Sequence, residues 1–398
     1  MSDATGNRWL MLAVLFLART AMAFQFQSIG AVAPLLTERY AIDFALLGTL
    51  VGLFMLPGVV IALPGGLLGQ RFGDKPVAIV GLTLMILGGI ALAALPSFGT
   101  AMLARAVSGI GGVLLTVVLT KMLIDWFAGH AITAAMALFV NSWPIGIGLS
   151  LVILPGVAGR EGVGLALLVP VAFALCALVG LAAIYRSAPG AAAAGGPAVL
   201  RFRLSRREWL LTIAAGLVWT FYNVGFILLM TYGPSLLRDR GLALSEAGPI
   251  TSLAMWLCAL SVPLSGLLAQ RSGSPNLFML SGFAIMAVLV VLLAKGAPAL
   301  PVFALFGLAS GLPAGAIMAL PSEGLKPENR AAGMGVFFSC YYAGMAGLIP
   351  VAGWVRDWSG DGEGPLFVAI AMMLFAAASL ATFRLVQRGL PLSAEPAG

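Results

Sequence analysis

The chain has 398 residues, 61% of them hydrophobic and only 9% charged, with a mean hydropathy of +1.04. A soluble domain carries about 25% charged residues, so there is too little polar surface here to cover soluble domains; the 50 glycines and 23 prolines exclude a simple coiled coil but suit membrane helices. The net charge of +7 does not point to nucleic acid, because the basic residues sit in short loops between apolar runs and read as topology signals.

A membrane helix needs about 20 mainly apolar residues, and twelve segments meet that length. The first, 9–36, holds Arg19 well inside it. Ala21-Met22-Ala23 has the look of a signal-peptidase site, but the apolar stretch runs on to Leu36, so the segment is expected to stay as a helix. The second, 44–68, runs into the polar turn Gln70-Arg71-Phe72-Gly73-Asp74-Lys75. Segments 77–95, 100–124, 132–156 and 163–185 follow, with Arg105 in the fourth and Asn141 and Trp143 in the fifth. From Arg186 to Arg207 the chain reads as a flexible linker with a basic end: Pro189, the run Ala191–Ala194, Gly195-Gly196-Pro197, then Arg201, Arg203, Arg206 and Arg207. Segments 208–232, 247–269, 277–295, 300–322, 332–355 and 364–386 complete the set.

The two halves echo each other. Gly66-Leu67-Leu68-Gly69-Gln70-Arg71-Phe72-Gly73 returns as Gly266-Leu267-Leu268-Ala269-Gln270-Arg271-Ser272-Gly273. Val107-Ser108-Gly109-Ile110 matches Ala309-Ser310-Gly311-Leu312, and Ala135-Met136-Ala137-Leu138-Phe139 matches Gly333-Met334-Gly335-Val336-Phe337. One long-period repeat means two similar halves rather than a solenoid. The expected fold is therefore an all-α membrane protein of twelve transmembrane helices in two pseudo-symmetric six-helix bundles. They are assigned to 1–186 and 208–398, joined by a linker over 187–207. With six helices each, both halves enter from the same side, and a substrate site is expected between them near the midplane. Placing the N-terminus in the cytoplasm puts 14 of the 22 lysines and arginines on the cytoplasmic side and 6 on the other. The positive-inside rule then assigns both termini to the cytoplasm.

These features resemble the major facilitator superfamily over essentially the whole chain. The most specific element is the turn after the second segment, which the family writes G-x-L-A-D-R-x-G-R/K-R/K and which here reads Gly66-Leu67-Leu68-Gly69-Gln70-Arg71-Phe72-Gly73-Asp74-Lys75. The resemblance implies a gate at this turn, but Gln70 stands where the family has an acid, leaving Asp125 as the alternative partner for Arg71. Arg105-Ala106-Val107-Ser108-Gly109-Ile110-Gly111 is similar to the family's helix 4 motif, with its leading arginine. Lys121-Met122-Leu123-Ile124-Asp125-Trp126-Phe127 followed by Asn141-Ser142-Trp143-Pro144 looks most like the cyanate/nitroimidazole-type branch. Arginines in helices 1 and 4 are similar to the placement in organic-anion members. The implied localisation is a bacterial-type inner membrane.

Candidate site residues follow from the cost of polarity in lipid. A charge at mid-bilayer costs roughly 2.5–3.5 kcal/mol on insertion scales, so Arg19 is read as an anion-binding cation on a central cavity, or else as the partner of another helix. Gln27 is eight residues on, about 80° around the helix, and is expected to add a donor to the same cavity, while Gln25 is expected to pack. Arg105 has two readings, a substrate contact or else a gate or structural pair, and its stripe Gly109, Gly112, Thr116 and Thr120 reads as close helix packing. Trp219, Tyr222, Asn223, Phe226 and Met230 share one helical face. With Asn141, Trp143, Ser339 and Tyr341 they are expected to form a polar, aromatic-lined pocket. Arg71, Asp74, Lys121, Asp125 and Glu323 are the candidate gate; Lys121 and Glu323 hold equivalent positions in the two halves and are expected to pair across it, with snorkelling of Lys121 to the interface as the plain alternative.

No acid lies well inside any segment, so the buried charge is basic and one-sided. The expected function is secondary transport of a small anion, a monocarboxylate or a cyanate-like ion, by alternating access, coupled to protons or a counter-anion or to neither. The alternative is an efflux carrier for neutral or cationic amphiphiles that uses the aromatic stripe. An enzyme is excluded by the lack of a nucleophile–base pair or phosphate-binding loop. Cys176, Cys258 and Cys340 read as packed thiols, and His130 is the only histidine, so no cofactor or metal site is expected. The partners expected are the substrate and the lipid bilayer, with the chain as a monomer.

Overall fold

A computed structural model describes residues 2–61, 65–95, 97–127, 131–188, 204–326 and 329–389. Most of the linker, including Pro189, the alanine run, Arg201 and Arg203, lies outside these, as does His130. The side chain of Gln70 is also outside the description.

Twelve helices are long and apolar enough to cross a membrane: α1 (Arg8–Ala31), α2 (Phe44–Ile61), α3 (Asp74–Ala94), α4 (Phe98–Phe127), α5 (Ala134–Glu161), α6 (Val163–Ala183), α7 (Arg206–Asp239), α8 (Leu244–Ala269), α9 (Pro275–Ala294), α10 (Ala299–Gly324), α11 (Ala332–Ser359) and α12 (Gly364–Gly389). Among the described residues there is no strand. The first six helices make one bundle and the last six the other. Several helices outrun their apolar cores: α7 starts on a Ser205–Glu208 capping box and ends at Asp239, seven residues beyond the expected 232, because caps and charged turns extend a helix into the interface.

Two expected segments are broken by proline. The chain after α1 turns at Val32 into a short helix, Ala33–Tyr40, with Pro34 in its first turn. In α2 the regular helix stops at Met55 and resumes at Gly58 beyond Pro57, since proline has no N–H to continue the ladder. The repeated turn keeps its glycine for a backbone reason. Gly73 precedes α3 with φ of 87° and Gly273 follows α8 with φ of 63°, a region that L side chains rarely adopt.

The start of α1 lies by the end of α6 and the start of α7 by the end of α12, and these helix ends mark the linker end of the molecule. Contact between the bundles runs from mid-molecule to the opposite, distal end, through α2 against α11, α5 against α8 and α1 against α7. The Asp357 carboxylate accepts from the N–H groups of Phe44 (3.0 Å) and Ala45 (2.7 Å) at the start of α2. The Tyr232 hydroxyl donates to the carbonyl of Ile349 (3.0 Å) and approaches that of Phe44 (3.4 Å). Arg238 pairs with Glu38 at 3.0 Å. Close approach is possible because small residues line the seam; a Cβ on Gly48 would lie 2.8 Å from the Cα of Pro350. At the linker end, by contrast, every ion pair among the described residues stays within one bundle.

Candidate functional site

A cavity of about 200 Å³ lies between the bundles. From the first bundle come Arg19, Met22, Phe54, Gly112, Thr116, Asn141, Trp143 and Pro144; the second contributes Trp219, Tyr222, Asn223, Phe226, Cys258, Phe338, Tyr341 and Tyr342. The two walls therefore differ: the first carries the cation, the second most of the aromatic rings.

Arg19 is half-buried on the first wall. Its guanidinium carbon sits 4.6 Å from the centre of the Phe139 ring. Among the described residues it has no ion pair, and its Nε is buried without a hydrogen bond. An unpaired buried cation is costly, so this group is left with its capacity directed at the cavity. Asn141 and Pro144 line the same cavity, one helical turn apart on α5. Pro144 offers no N–H to the carbonyl of residue 140, so the wall also holds a backbone acceptor released from the helix ladder.

Three other polar side chains on the walls are committed to the protein. The Tyr222 hydroxyl donates to the carbonyl of Ser310 at 2.7 Å, and Asn223 Nδ2 donates to that of Trp219 at 2.8 Å. Thr116 donates to the carbonyl of Gly112 at 3.0 Å. The Trp219 ring packs against Tyr222, Phe337 and Tyr341 with centroids 5.7 to 6.3 Å apart, and Trp143 rests on Phe26 at 5.5 Å.

The structure thus brings Arg19, Asn141, Trp143, Tyr222, Asn223 and Tyr341 together and leaves out two residues expected with them. Gln27 is turned to the bundle seam, where its Nε2 donates to the Met230 carbonyl at 2.8 Å; a helical angle gives direction but not the neighbour that fills it. Arg105 is fully buried, with 0% exposure. Its Nε donates to the Leu50 carbonyl (3.0 Å), Nη1 to that of Gln25 (3.0 Å) and Nη2 to that of Phe26 (3.1 Å), and its guanidinium lies 4.7 Å over Phe54. It lines no part of the cavity and has no ion pair among the described residues; instead it ties α4 to main-chain carbonyls of α1 and α2. Gln25 packs as expected, its Nε2 donating to the Met85 carbonyl at 2.8 Å.

Smaller corrections follow. Gly109 packs against the Phe54 backbone, but Gly112 and Thr116 on the same stripe face the cavity. Ser339 and Met230 do not line it, whereas Cys258 does. Tyr342 and Phe338 also line it; the Tyr341-Tyr342 doublet in mid-helix is the sequence signal for Tyr342.

The gate candidates pair within their own bundles. Lys121 binds Asp74, and Asp125 at 3.3 Å. Glu323 binds Arg384, which also donates to Asn276 at 2.7 Å. The expected Lys121–Glu323 pair is therefore not formed, and neither is Arg71–Asp125: Arg71 is exposed, its guanidinium 5.3 Å over Phe72. Equivalent positions in two halves are not neighbours when the linker end is parted, so each charge takes the nearest opposite charge in its own bundle.

Residues 15–348 match the family described as the Major Facilitator Superfamily. The chain belongs to the Major Facilitator Superfamily. Members of this superfamily are transporters, not enzymes, and so is this chain. It is 24% identical over 419 residues to the hexuronate transporter of Bacillus subtilis (strain 168), covering 96% of this chain and 95% of that one. A 118-residue stretch, 30% of this chain and 26% of the other, is 30% identical to the inner membrane transport protein YajR of Escherichia coli (strain K12). Among solved structures, the nucleoside transporter NupG, in a mutant form, superposes with a TM-score of 0.76 at 14% identity, covering 96% of this chain and 99% of its own. A bacterial homologue of the human lysosomal transporter Spinster, inward-facing and occupied, gives 0.74 at 17% identity, covering 95% and 96%. These likenesses establish the superfamily fold.

Proposed function

We propose that this superfamily transporter moves a small organic anion, a monocarboxylate or cyanate-like ion, by alternating access of the cavity between the two bundles. The observation that carries the reading is Arg19, a cation on the cavity wall with no ion-pair partner among the described residues. A substrate anion supplies the missing countercharge, and among the described residues no acid on the walls competes for that role. The likeness to a hexuronate transporter supports an acidic substrate. The aromatic walls favour the monocarboxylate over a bare cyanate-like ion. The excess of lysine and arginine at the linker end supports a cytoplasmic position for that end, in a bacterial-type inner membrane. One chain encloses the cavity, so a monomer suffices for transport.

The test is counterflow in proteoliposomes loaded with a panel of small anions, with and without a pH gradient and a membrane potential. Arg19→Gln should reduce anion counterflow by at least about a hundredfold, the loss expected for one charge-assisted contact of about 3 kcal/mol, while the protein stays inserted and monodisperse. Normal uptake by that variant defeats the assignment. A second reading, efflux of neutral or cationic amphiphiles, rests on the aromatic second wall; it predicts that Arg19→Gln changes nothing.

A further inference from the structure

The anion reading leaves the rest of the molecule undefined, and the walls narrow it. Two terms decide what a cavity holds: the polar groups that are still free, and the surface that must be covered. Here the free polar groups are few. Tyr222, Asn223 and Thr116 spend their donors on backbone carbonyls. Arg19, the one cation in the lining, and Asn141 on the first wall are left, with the indole N–H groups of Trp143 and Trp219 and the Tyr341 hydroxyl, none of them hydrogen-bonded to another described residue. Opposite them, Trp219, Tyr341 and Phe226 present flat apolar faces, held in place by their own ring contacts.

We infer that the substrate is an amphipathic monoanion, a single carboxylate-type head on a flat apolar body, with the head on Arg19 and Asn141 and the body against Trp219 and Tyr341. This rests on the anion reading and goes one step further. A planar guanidinium takes a carboxylate through two parallel donors, and Asn141 adds a third. A sugar acid covers the aromatic wall less well, because its hydroxylated ring brings little apolar surface to bury there. A short anion such as acetate meets Arg19 but leaves the aromatic wall uncovered, so it forgoes the gain from apolar contact. The cleavage of labour is uneven by design of the sequence: charge recognition belongs to the first bundle and shape recognition to the second, so the substrate must bridge them to be held by both.

The experiment uses the full-length protein in detergent, with intrinsic tryptophan fluorescence and thermal stabilisation as binding readouts, and counterflow in proteoliposomes. The probes are phenylacetate, 3-phenylpropionate and indole-3-acetate, with phenylacetamide, phenethylamine, acetate and glucuronate as comparisons. At least one aryl anion should bind about tenfold or more tightly than every comparison compound. Trp219→Leu should bring the aryl anions down to the level of acetate. Arg19→Gln should remove the preference for phenylacetate over phenylacetamide, and Arg19→Lys should restore part of it. If Trp219→Leu does not fold, Tyr341→Leu carries the same expectation.

The failures are separable. Tighter, Arg19-dependent binding of glucuronate or acetate overturns the amphipathic class and leaves the anion reading standing. Equal binding of amide, amine and acid, unchanged in Arg19→Gln, overturns both. Failure of all three aryl anions to bind overturns the class.

Discussion

Arg19 and Arg105 are both arginines in apolar helices of the same bundle, and the structure gives them opposite roles. Every nitrogen of Arg105 donates to a backbone carbonyl, at 3.0 to 3.1 Å. The three acceptors sit on α1 and α2, and one of them, the carbonyl of Leu50, precedes the proline break in α2. The guanidinium thus ties three helices at one point. Arg105→Met should leave these carbonyls without their donor and cost about 2–4 kcal/mol of stability, since hydrogen bonds from charged groups are worth about 1.5–3 kcal/mol each and relaxation recovers part. A fall in the thermal unfolding midpoint in detergent checks this, and in the folded fraction aryl-anion binding should change less than in Arg19→Gln. Arg19 was legible as a candidate because one charge in an apolar run stands out in any sequence. That Arg105 was a tie was not legible, because its partners are main-chain carbonyls, which every residue has and no motif records.

At the level of elements, the seam between α2 and α11 closes the distal end. Its polar part uses side chains from α7 and α11 and main-chain groups at the start of α2. Asp357 carries the seam twice over, as acceptor for two N–H groups and as a negative charge at the N-terminus of α2, where the helix dipole favours it. Arg356 beside it lies 3.5 Å over the Phe44 ring and pairs with Asp239 at 2.6 Å. Asp357→Asn removes the charge and one acceptor, and should raise the population open at the distal end by about tenfold, a change of about 1.4 kcal/mol. Cys258 is a native reporter for this, because it lines the cavity. In a Cys176→Ser, Cys340→Ser background, its labelling by a membrane-impermeant maleimide from the distal side should accelerate in Asp357→Asn, and an unchanged rate counts against the seam as a latch. The sequence shows the helices this seam joins, and the repeated turn shows why Gly73 and Gly273 must be glycine. It does not show the pairing of α2 with α11, because hydropathy marks each helix and says nothing of its neighbour. The Lys121–Glu323 expectation failed for a related reason: pseudo-symmetry equates positions, while ion pairs need proximity.

For the whole molecule, the bundles are joined toward one end and parted at the other, and the cavity opens between them. The fold class was legible from composition and repeat, since twelve apolar runs with a polar break after the sixth leave little choice of architecture. The site was half legible. Arg19, Asn141, Trp143, Tyr222, Asn223 and Tyr341 were all named from polarity within apolar runs, and all line the cavity. Gln27 carried the same signal but meets the Met230 carbonyl instead, and Phe338 carried no signal, being one apolar residue among many.

The lone cation on the first wall also sets how this protein meets an electric field. Without cargo, the cavity holds one uncompensated positive charge; with a monoanion seated it holds none. A membrane potential acts on a charge at about 2.3 kcal/mol per 100 mV across the full bilayer, and on a rocking side chain by the fraction it traverses. The loaded passage is then voltage-silent and the empty return is the step that current and potential can pace. In solid-supported-membrane recordings, charge displacement should accompany the empty return and vanish in Arg19→Gln.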